Sequence, residues 1–386
     1  MRVIHVITRL IVGGAQENTI ATVLGLKGKP GVKVDLVSGP TTGSEGTLEK
    51  PVRDAGILHD EPDLIRAVHP LRDLLAYRGL IRRFRKTRPD IVHTHSGKAG
   101  VLGRLAAKAA GVPIIVHTIH GPSFGTFQGA LSNFIFKSAE RRAGKITTHF
   151  VSVADAMTQQ YLAAGIGRPE RFTTIRSGFD LQPFLTAKND PELRKKLGIG
   201  PEDFVIGKIA RLFKLKGHDD LFAIAADLTK ANPRTRFLLI GDGPWRERFE
   251  KQLAIHGLSS QFVLTGLVPP SEVPKYVGIM NCLAHLSLRE GLPRALPQAM
   301  AAGKPVVAYD CDGAREVCLD GKTGLLIKPG DKPGLTDALV KLSESRDLRH
   351  QYGEEGRALV RTQFDQQTMV NQTYDLYVNL MEEHRA

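Results

Sequence analysis

The chain has 386 residues, of which 42% are hydrophobic and 24% are charged. At about 150 residues per domain, this length indicates two or three domains. The composition excludes a disordered chain, a collagen-like fibre and a small disulfide-bonded module. Because 53 Lys and Arg residues oppose 40 Asp and Glu, the net charge is +13. Anionic partners are therefore expected, whether nucleic acid, acidic lipid or phosphorylated small molecules.

The cellular compartment follows from the cysteines and the N-terminus. The three cysteines form no Cys-x-x-Cys pair, and Thr8 and Arg9 interrupt the first apolar run too early for a signal peptide. No stretch approaches the ~18 apolar residues that a membrane-spanning helix needs. We therefore expect a cytoplasmic protein with reduced thiols.

Short apolar strands alternate with amphipathic helices in the first half of the chain. The predicted elements are strand 2–7, helix 15–26, strand 33–37, helix 71–86, strand 90–93, helix 99–110 and strand 114–118. The apolar stripe of helix 71–86 recurs at helical spacing, through Leu74, Tyr77, Ile81 and Phe84. This alternation predicts a parallel sheet with helices on both faces.

The alternation pauses at 175–191 and then resumes. The further predicted elements are strand 205–209, helix 218–231, strand 236–240, helix 245–256, strands 261–264 and 282–285, helix 294–302, strands 305–308 and 324–327, and a last helix over 365–383. We therefore predict an α/β protein with two doubly wound domains, 1–182 and 190–364, joined near 180–192. Such sheets bind ligands at the carboxyl ends of their strands, and here also in the cleft between the domains.

Two groups of residues after strands of the second domain suit a phosphorylated sugar. Arg211 and Lys216 follow strand 205–209, and a guanidinium with an ammonium there suits a diphosphate. The alternative is that both side chains are solvated cations on the surface without a ligand. Before helix 294–302, Glu290 could accept hydrogen bonds from sugar hydroxyls, and the backbone N–H groups near Gly291 and Leu292 would face an anion.

The first domain offers a glycine turn and several histidines. Gly13 and Gly14 join a strand to a helix, where backbone N–H groups can approach an anion, although a tight turn without a ligand explains them equally well. Four histidines follow strand ends: His93, His95, His117 and His120. Their spacing lacks HxxxH or HExxH, so we expect no metal there. His120 is the best placed to donate a hydrogen bond to a ligand.

A DxD pattern, Asp310-Cys311-Asp312, matches one associated with metal–nucleotide binding. It lies in a predicted loop, and we expect the match to be a coincidence. No G-x-S-x-G elbow and no Walker A loop occur, so simple hydrolase and ATPase functions lack the residues to carry them.

Seven segments in this order resemble the family 4 glycosyltransferases of GT-B fold, which are retaining enzymes with nucleotide-sugar donors. They are GGAQ at 13–16, DIVHTHSGKAG at 90–100, HTIHG at 117–121, IRSGFD at 175–180, ARLFKLKG at 210–217, IGDGP at 240–244 and LREGLPRALPQAMAAGKPVVA at 288–308. The resemblance covers nearly the whole chain. It implies two Rossmann-like domains facing across a cleft, with the last helix, 365–386, returning to the first domain.

The resemblance implies donor-binding roles in the second domain. Arg211 and Lys216 would bind the diphosphate and stabilise the leaving nucleotide. Glu290 would contact the donor sugar, and Gly291 and Leu292 would offer backbone N–H groups. Retention would proceed without an enzyme nucleophile, by attack on the face that the nucleotide leaves.

In the first domain, the resemblance implies that His120 bonds the donor sugar near the reacting carbon and that Gly13 and Gly14 line the cleft. One position departs from the family, since Gln298 stands where a glutamate is usual, after an unusual Pro297. A carboxylate accepts bonds from both ribose hydroxyls, whereas an amide has one acceptor group and two N–H donors. This change puts the strength of nucleotide binding in doubt.

The implied function is metal-independent, retaining transfer of a hexose from a UDP-sugar, rather than a GDP-sugar, to a glycan or lipid-linked acceptor, as in bacterial polysaccharide and cell-envelope synthesis. No cofactor is expected. The alternatives are another GT-B enzyme, such as an epimerase or a glycogen-synthase relative, and a nucleotide-binding homologue without turnover. Nucleic acid is not an expected partner, because no RNA-binding motif occurs.

Two further features suggest a membrane surface. Basic side chains lie opposite the apolar stripe of helix 71–86, namely Arg78, Arg82, Arg85 and Lys86. They form either a solvated face or a contact with anionic lipid. In the segment after His120, we expect Phe124 and Phe127 to meet an acyl chain. Core packing is expected for Leu131, Phe134 and Ile135, which have helical spacing. We expect peripheral association with the inner face of the cell membrane.

Overall fold

The chain folds into two compact units. The structure is a computed structural model that describes residues 1–42, 46–125 and 127–385. The first unit combines Met1–Phe179 with Gln366–Ala386, and the second is Asp180–Asp365. Residues 180–192, expected as a linker, belong to the second unit and contain a short helix.

The first unit is built on a seven-stranded parallel sheet of order β3-β2-β1-β4-β5-β6-β7. Its elements in chain order are β1 (Arg2–Ile7), α1 (Gly14–Lys27), β2 (Lys33–Ser38), α2 (Glu49–Asp54), β3 (Leu58–Asp60), α3 (Pro70–Thr87), β4 (Ile91–His95), α4 (Gly97–Ala110), β5 (Ile114–Ile119), α5 (Ala130–Gly144), β6 (His149–Ser152), α6 (Asp155–Ala163) and β7 (Phe172–Thr174). The strand order reverses at β1, so that β4 and β2 flank it. Right-handed crossovers then put α3 to α6 on one face and α1 and α2 on the other.

The second unit is built on a six-stranded parallel sheet of order β10-β9-β8-β11-β12-β13. Its elements are α7 (Gln182–Leu185), α8 (Pro191–Lys196), β8 (Phe204–Ile209), α9 (His218–Ala231), β9 (Thr235–Ile240), α10 (Arg246–Ile255), β10 (Phe262–Leu264), α11 (Val273–Gly278), β11 (Cys282–His285), α12 (Ala295–Ala301), β12 (Val306–Tyr309), β13 (Gly324–Ile327), α13 (Lys332–Glu344) and α14 (Arg346–Gln363). β8 holds the position that β1 holds in the first unit. The predicted class, α/β with two doubly wound sheets, is confirmed.

The last helix, α15 (Gln366–Arg385), packs on α1 and belongs to the first unit. A Cβ atom added to Gly25 of α1 would lie 2.5 Å from a methyl of Val370. Tyr377, farther along α15, is fully buried. Ala386, the end of the predicted range, lies outside the described residues.

Four apolar residues after His120 do not have their predicted roles. Leu131, Phe134 and Ile135 are 73%, 69% and 53% exposed, whereas Phe124 is only 8% exposed and packs against Tyr161. The reason is that α5 buries only residues of its second half, leaving its first two turns in solvent. Leu74 of the predicted stripe is also exposed. No helix among the described residues is long and apolar enough to cross a membrane.

Candidate active site

Each sheet has a switch point, where the strand order reverses and adjacent loops diverge to open a crevice. In the second unit this point lies between β8 and β11, and in the first between β1 and β4. Arg211 and Lys216 follow β8, and Glu290 follows β11. Gly13 and Gly14 follow β1, and His120 follows β5, the strand next to β4.

The loop that carries Lys216 is fixed by an unusual backbone. Leu215 and Gly217 on either side of it both have a φ of +66°, a conformation that costs a leucine about 1 kcal/mol or more. The carbonyl of Leu215 accepts the N–H of Leu288 at 2.8 Å. A Cβ atom on Gly217 would lie 2.1 Å from the carbonyl oxygen of Leu286, so only glycine fits there. The loop after β8 is thus tied to the loop after β11.

Lys216 and Glu290 form a direct, hydrogen-bonded ion pair, with both side chains about one quarter exposed. Burial alone would raise the pKa of Glu290, but the charge of Lys216 and its hydrogen bond outweigh burial and lower it. The backbone N–H of Glu290 donates to the Asp312 carboxylate at 2.8 Å. Arg211, half-buried, lies two residues beyond the end of β8.

Three basic side chains missed by the sequence analysis lie beneath this pair. Lys208, in β8, is 1% exposed, and burial together with the charge of Lys216 lowers its pKa to about 7. Burial lowers the pKa of His285 to about 3 and that of His218 to about 2, so both are neutral at pH 7. His285 Nε2 lies 3.8 Å from the Glu290 carboxylate. Of the three, Lys208 could have been identified from the sequence, because it is a lysine within the otherwise apolar strand FVIGKI.

The remaining predicted donor residues lie between β11 and the end of α12. The carbonyl of Gly291 accepts the N–H of Gly313 at 3.2 Å, and Leu292 is buried. Pro297 is the third residue of α12, so its missing N–H costs the helix at most one bond. Gln298 follows it and is half-buried. Its backbone N–H donates to the backbone carbonyl of Arg294 at 3.1 Å.

The DxD aspartates both have protein partners. Asp310 binds Arg315, with Nε to Oδ1 at 2.8 Å. Asp312, with a φ of +50°, accepts the N–H of Glu290. This contact gives Asp312 a role that its pattern did not suggest, which is to hold the loop of Glu290.

In the first unit, the glycine turn begins α1. The carbonyl of Gly13 accepts the N–H of Glu17 at 3.0 Å, and Gly14 is exposed. His120 is half-buried directly after β5, and its Nε2 lies 3.0 Å from Nδ1 of His95.

The four histidines considered for a metal do not form one group. His117 lies on the other face of the sheet from His93 and His95, where its Nδ1 bonds Thr94 at 2.9 Å. A residue missed in the sequence, His5 of β1, pairs in register with His93. One ring nitrogen from each of His5, His93 and His95 lies within 4.8 Å of the others.

Two doubly wound parallel sheets, each with a switch point after which polar or glycine-rich loops follow, define the class of two-domain α/β proteins. Residues 12–183 match the family model Glycosyltransferase Family 4, and residues 189–359 match that of glycosyl transferases group 1. Together the two matches span most of the chain. The protein therefore belongs to this glycosyltransferase family and has the GT-B fold, as predicted.

The relatives agree with this assignment. Over 326 residues, covering 83% of each chain, the protein is 28% identical to the UDP-Gal:alpha-D-GlcNAc-diphosphoundecaprenol alpha-1,3-galactosyltransferase of Escherichia coli. It is 26% identical to the alpha-monoglucosyldiacylglycerol synthase of Acholeplasma laidlawii, over 79% of this chain and 82% of that one. The crystal structure of Anabaena Alr3699/HepE in complex with UDP-glucose superposes with a TM-score of 0.82 at 21% identity, covering 98% of this chain and all of that one, which supports the fold.

Proposed function

We propose that this glycosyltransferase moves a sugar from a UDP-sugar to a glycan or lipid-linked acceptor, with retention of configuration and without a metal ion. The observation that carries the proposal is the Lys216–Glu290 pair at the switch point of the second unit, with Arg211 on the same loop as Lys216. A nucleotide diphosphate is a dianion at least, and two fixed cations match its charge. They stabilise the departing UDP as a divalent cation would.

Donor binding exchanges the partner of Lys216. Its ammonium moves from the Glu290 carboxylate to the diphosphate, and the carboxylate becomes available to accept hydrogen bonds from sugar hydroxyls. Gly291 and Leu292 offer backbone N–H groups to the same ligand. Because Asp312 holds the backbone of Glu290, this exchange needs only side-chain rotation.

Other residues complete donor recognition. Gln298 bonds the ribose hydroxyls through its amide. In the first unit, His120 bonds a hydroxyl of the donor sugar, and Gly13 and Gly14 let the backbone approach the diphosphate and the acceptor.

Retention without an enzyme nucleophile agrees with the state of Glu290. Double displacement needs a carboxylate free to attack the sugar, with a second carboxyl group about 5 Å away. Glu290 is instead paired with Lys216 in the donor-free protein, and after donor binding its carboxylate accepts hydrogen bonds from sugar hydroxyls, so it is free to attack in neither state. We therefore assign Glu290 to sugar binding, and the acceptor attacks from the face that UDP leaves.

Two of the relatives favour a uridine donor. The E. coli enzyme is named for UDP-Gal, and the Anabaena structure is a complex with UDP-glucose. The E. coli and A. laidlawii names also give a diphosphoundecaprenol-linked and a diacylglycerol-linked molecule, which favours a lipid-linked acceptor.

An exposed apolar rim of the first unit supports such an acceptor. Large apolar side chains are exposed at the start of α3 and of α5, namely Val68, Leu71, Leu74, Leu75, Leu131, Phe134 and Ile135. These helix starts lie at the carboxyl edge of the sheet, on the face that α3 and α5 share. Farther along α3, four basic residues are also exposed, namely Arg78, Arg82, Arg85 and Lys86. We name these residues the apolar–basic rim and propose that it rests on an anionic membrane.

Calorimetric titration with UDP tests the donor site. Arg211→Ala and Lys216→Ala should each weaken UDP binding about tenfold or more, because each removes a charged partner of the diphosphate. Lys214→Ala is the matched control, since Lys214 is exposed on the same loop. Gln298→Glu should keep or improve affinity, because it restores a carboxylate acceptor.

Unchanged UDP affinity in both Arg211→Ala and Lys216→Ala would contradict the site. A large loss in Gln298→Glu would mean that the amide has its own role. UDP binding without turnover of any donor sugar would leave a nucleotide-binding homologue that has lost catalysis.

A further inference from the structure

A buried lysine lies beneath the donor site without a partner of its own. Lys208, near the end of β8, is 1% exposed. Its ammonium forms neither a hydrogen bond nor an ion pair with the part of the chain that the structure describes. Such a group needs an explanation, because a buried lysine normally has a counter-ion or loses its charge.

The strand directs Lys208 toward the start of α9. Phe204 and Ile206 of β8 belong to the apolar core that α9 covers. Because alternate residues of a strand share a face, Lys208 continues that face toward the carboxyl edge of the sheet. α9 begins there, at His218. Burial and then the charge of Lys208 lower the pKa of His218, so these two side chains lie close together.

The acidic groups near Lys208 already have other partners. The carboxylates whose charges act on it are those of Asp220, in α9, and Glu290, after β11. Asp220 Oδ2 accepts a hydrogen bond from the hydroxyl of Tyr309, in β12, at 2.9 Å. Glu290 is paired with Lys216. Lys208 therefore has no counter-ion in the donor-free protein.

The basic groups around Lys208 differ in how readily they gain a proton. Burial and then the charge of Lys216 lower the pKa of Lys208 to about 7, although the two carboxylates oppose both effects. About nine tenths of Lys208 is therefore uncharged at pH 8. The pKa values of His218 and His285 are about 2 and 3, so both rings stay neutral. Of these groups, Lys208 is the one that added negative charge can protonate near pH 8.

A nucleotide diphosphate brings such charge. UDP has three negative charges at pH 8, because the second pKa of a phosphate group is about 6. Arg211, Lys216 and Glu290 together have one positive charge, which UDP outweighs. The surroundings of Lys208 thus change from net positive to net negative when UDP binds. Added negative charge favours the protonated form of a lysine.

We propose that Lys208 takes up a proton from solvent when a nucleotide diphosphate binds, and then serves as a third cation for it. The proposal rests on the proposed function in placing the diphosphate at Arg211 and Lys216. Because Lys208 is buried, it acts on the ligand through its charge and needs no contact with it. By linkage, a ligand that binds together with a proton loses affinity as the pH rises.

Calorimetric titration of the full chain with UDP at pH 8, in buffers of different ionisation enthalpy, counts the protons taken up. We expect the unmodified protein to take up about half a proton or more per UDP, and its affinity to fall several-fold from pH 7 to pH 8.5. Lys208→Met should take up none and bind UDP about tenfold more weakly at pH 7, with an affinity that does not change over this range. Lys208→Arg, which stays charged, should also take up none.

Lys304→Met is the matched control and should leave the proton uptake unchanged. Lys304 is half-buried in the same unit, and burial lowers its pKa to about 8. It lies at the opposite edge of the sheet, before β12, where its ammonium donates to the carbonyl of Gly278 at 2.8 Å.

Two results would overturn the proposal and leave the donor site standing. One is UDP binding without proton uptake in the unmodified protein, and the other is uptake that persists in folded Lys208→Met. Should Lys208→Met not fold, Lys208→Arg makes the same comparison. Failure of the unmodified protein to bind UDP would overturn the donor site together with this proposal.

Discussion

At the scale of single residues, the sequence identified the polar side chains after strands but not their partners. Lys216 and Glu290 were predicted separately, and they form an ion pair because β8 and β11 are adjacent in the sheet. Sequence separation conceals such a pair, since the topology is needed to bring its loops together. The interior polar residues, such as Lys208 and His5, escaped notice because each stands within an apolar strand that looks like ordinary core.

Lys208 makes stability depend on pH. Its pKa is about 7 in the folded protein against 10.5 ordinarily, so between these values the unfolded chain binds more protons and stability rises with pH. Lys208→Met removes this dependence. We expect the variant to be more stable than the unmodified protein at pH 6 to 7, by about 4 to 5 kcal/mol at most.

Urea unfolding from pH 6 to 10 measures this difference, which should shrink steadily above pH 7. Lys214→Met, at an exposed position, serves as the control and should change stability little at any pH. A difference between Lys208→Met and the unmodified protein that stays constant with pH would contradict a charged, buried Lys208.

At the scale of elements, the hydrophobic pattern was sufficient for the long central strands and for most of the long helices. β1, α9, β11 and β13 have the predicted bounds, because each is a clear apolar or amphipathic run. The strands β3, β6 and β7 were missed, since strands of three or four residues carry almost no pattern. The helices α13 and α14 were also not predicted. The exposure of the start of α5 could not be predicted, because helical spacing does not say which turns reach the core.

The packing of α15 on α1 depends on a close approach at Gly25. A Cβ atom there would lie 2.5 Å and 2.8 Å from the two methyls of Val370. We expect Gly25→Ala to destabilise the protein by about 1 to 3 kcal/mol through overpacking, although alanine is otherwise the better helix former.

Scanning calorimetry compares this variant with Gly28→Ala. At Gly28 the nearest atom to an added Cβ is 3.4 Å away and the backbone is right-handed, with a φ of −78°. That control should stay within about 0.5 kcal/mol of the unmodified protein. Equal stability of the two variants would mean that α15 is not held at Gly25.

At the scale of the whole molecule, the net charge of +13 has no single cause. We assign Arg211 and Lys216 to the donor diphosphate and the basic part of the apolar–basic rim to a membrane. The expected apolar membrane contacts were Phe124 and Phe127, but Phe124 is buried and Phe127 is half-buried. We instead assign the apolar membrane contact to the exposed side chains at the start of α5.

Flotation with vesicles tests the rim. The protein should float with vesicles rich in anionic lipid at low salt, and less so at high salt, because screening weakens the basic contribution. The double variant Leu131→Ser, Phe134→Ser should lose most binding. Ile255→Ser is the control, since Ile255 is equally exposed in the second unit. No binding of the unmodified protein at low salt would exclude the membrane proposal.

The proposed function is that of a retaining, metal-independent UDP-sugar transferase. The most direct measurement is transfer from a panel of UDP- and GDP-sugars to short lipid-linked glycans in vesicles with excess chelator, with the new linkage assigned by NMR. We expect transfer from a UDP-sugar that keeps the anomeric configuration of the donor. An inverted linkage, a requirement for added metal, or transfer from GDP-sugars alone would contradict it.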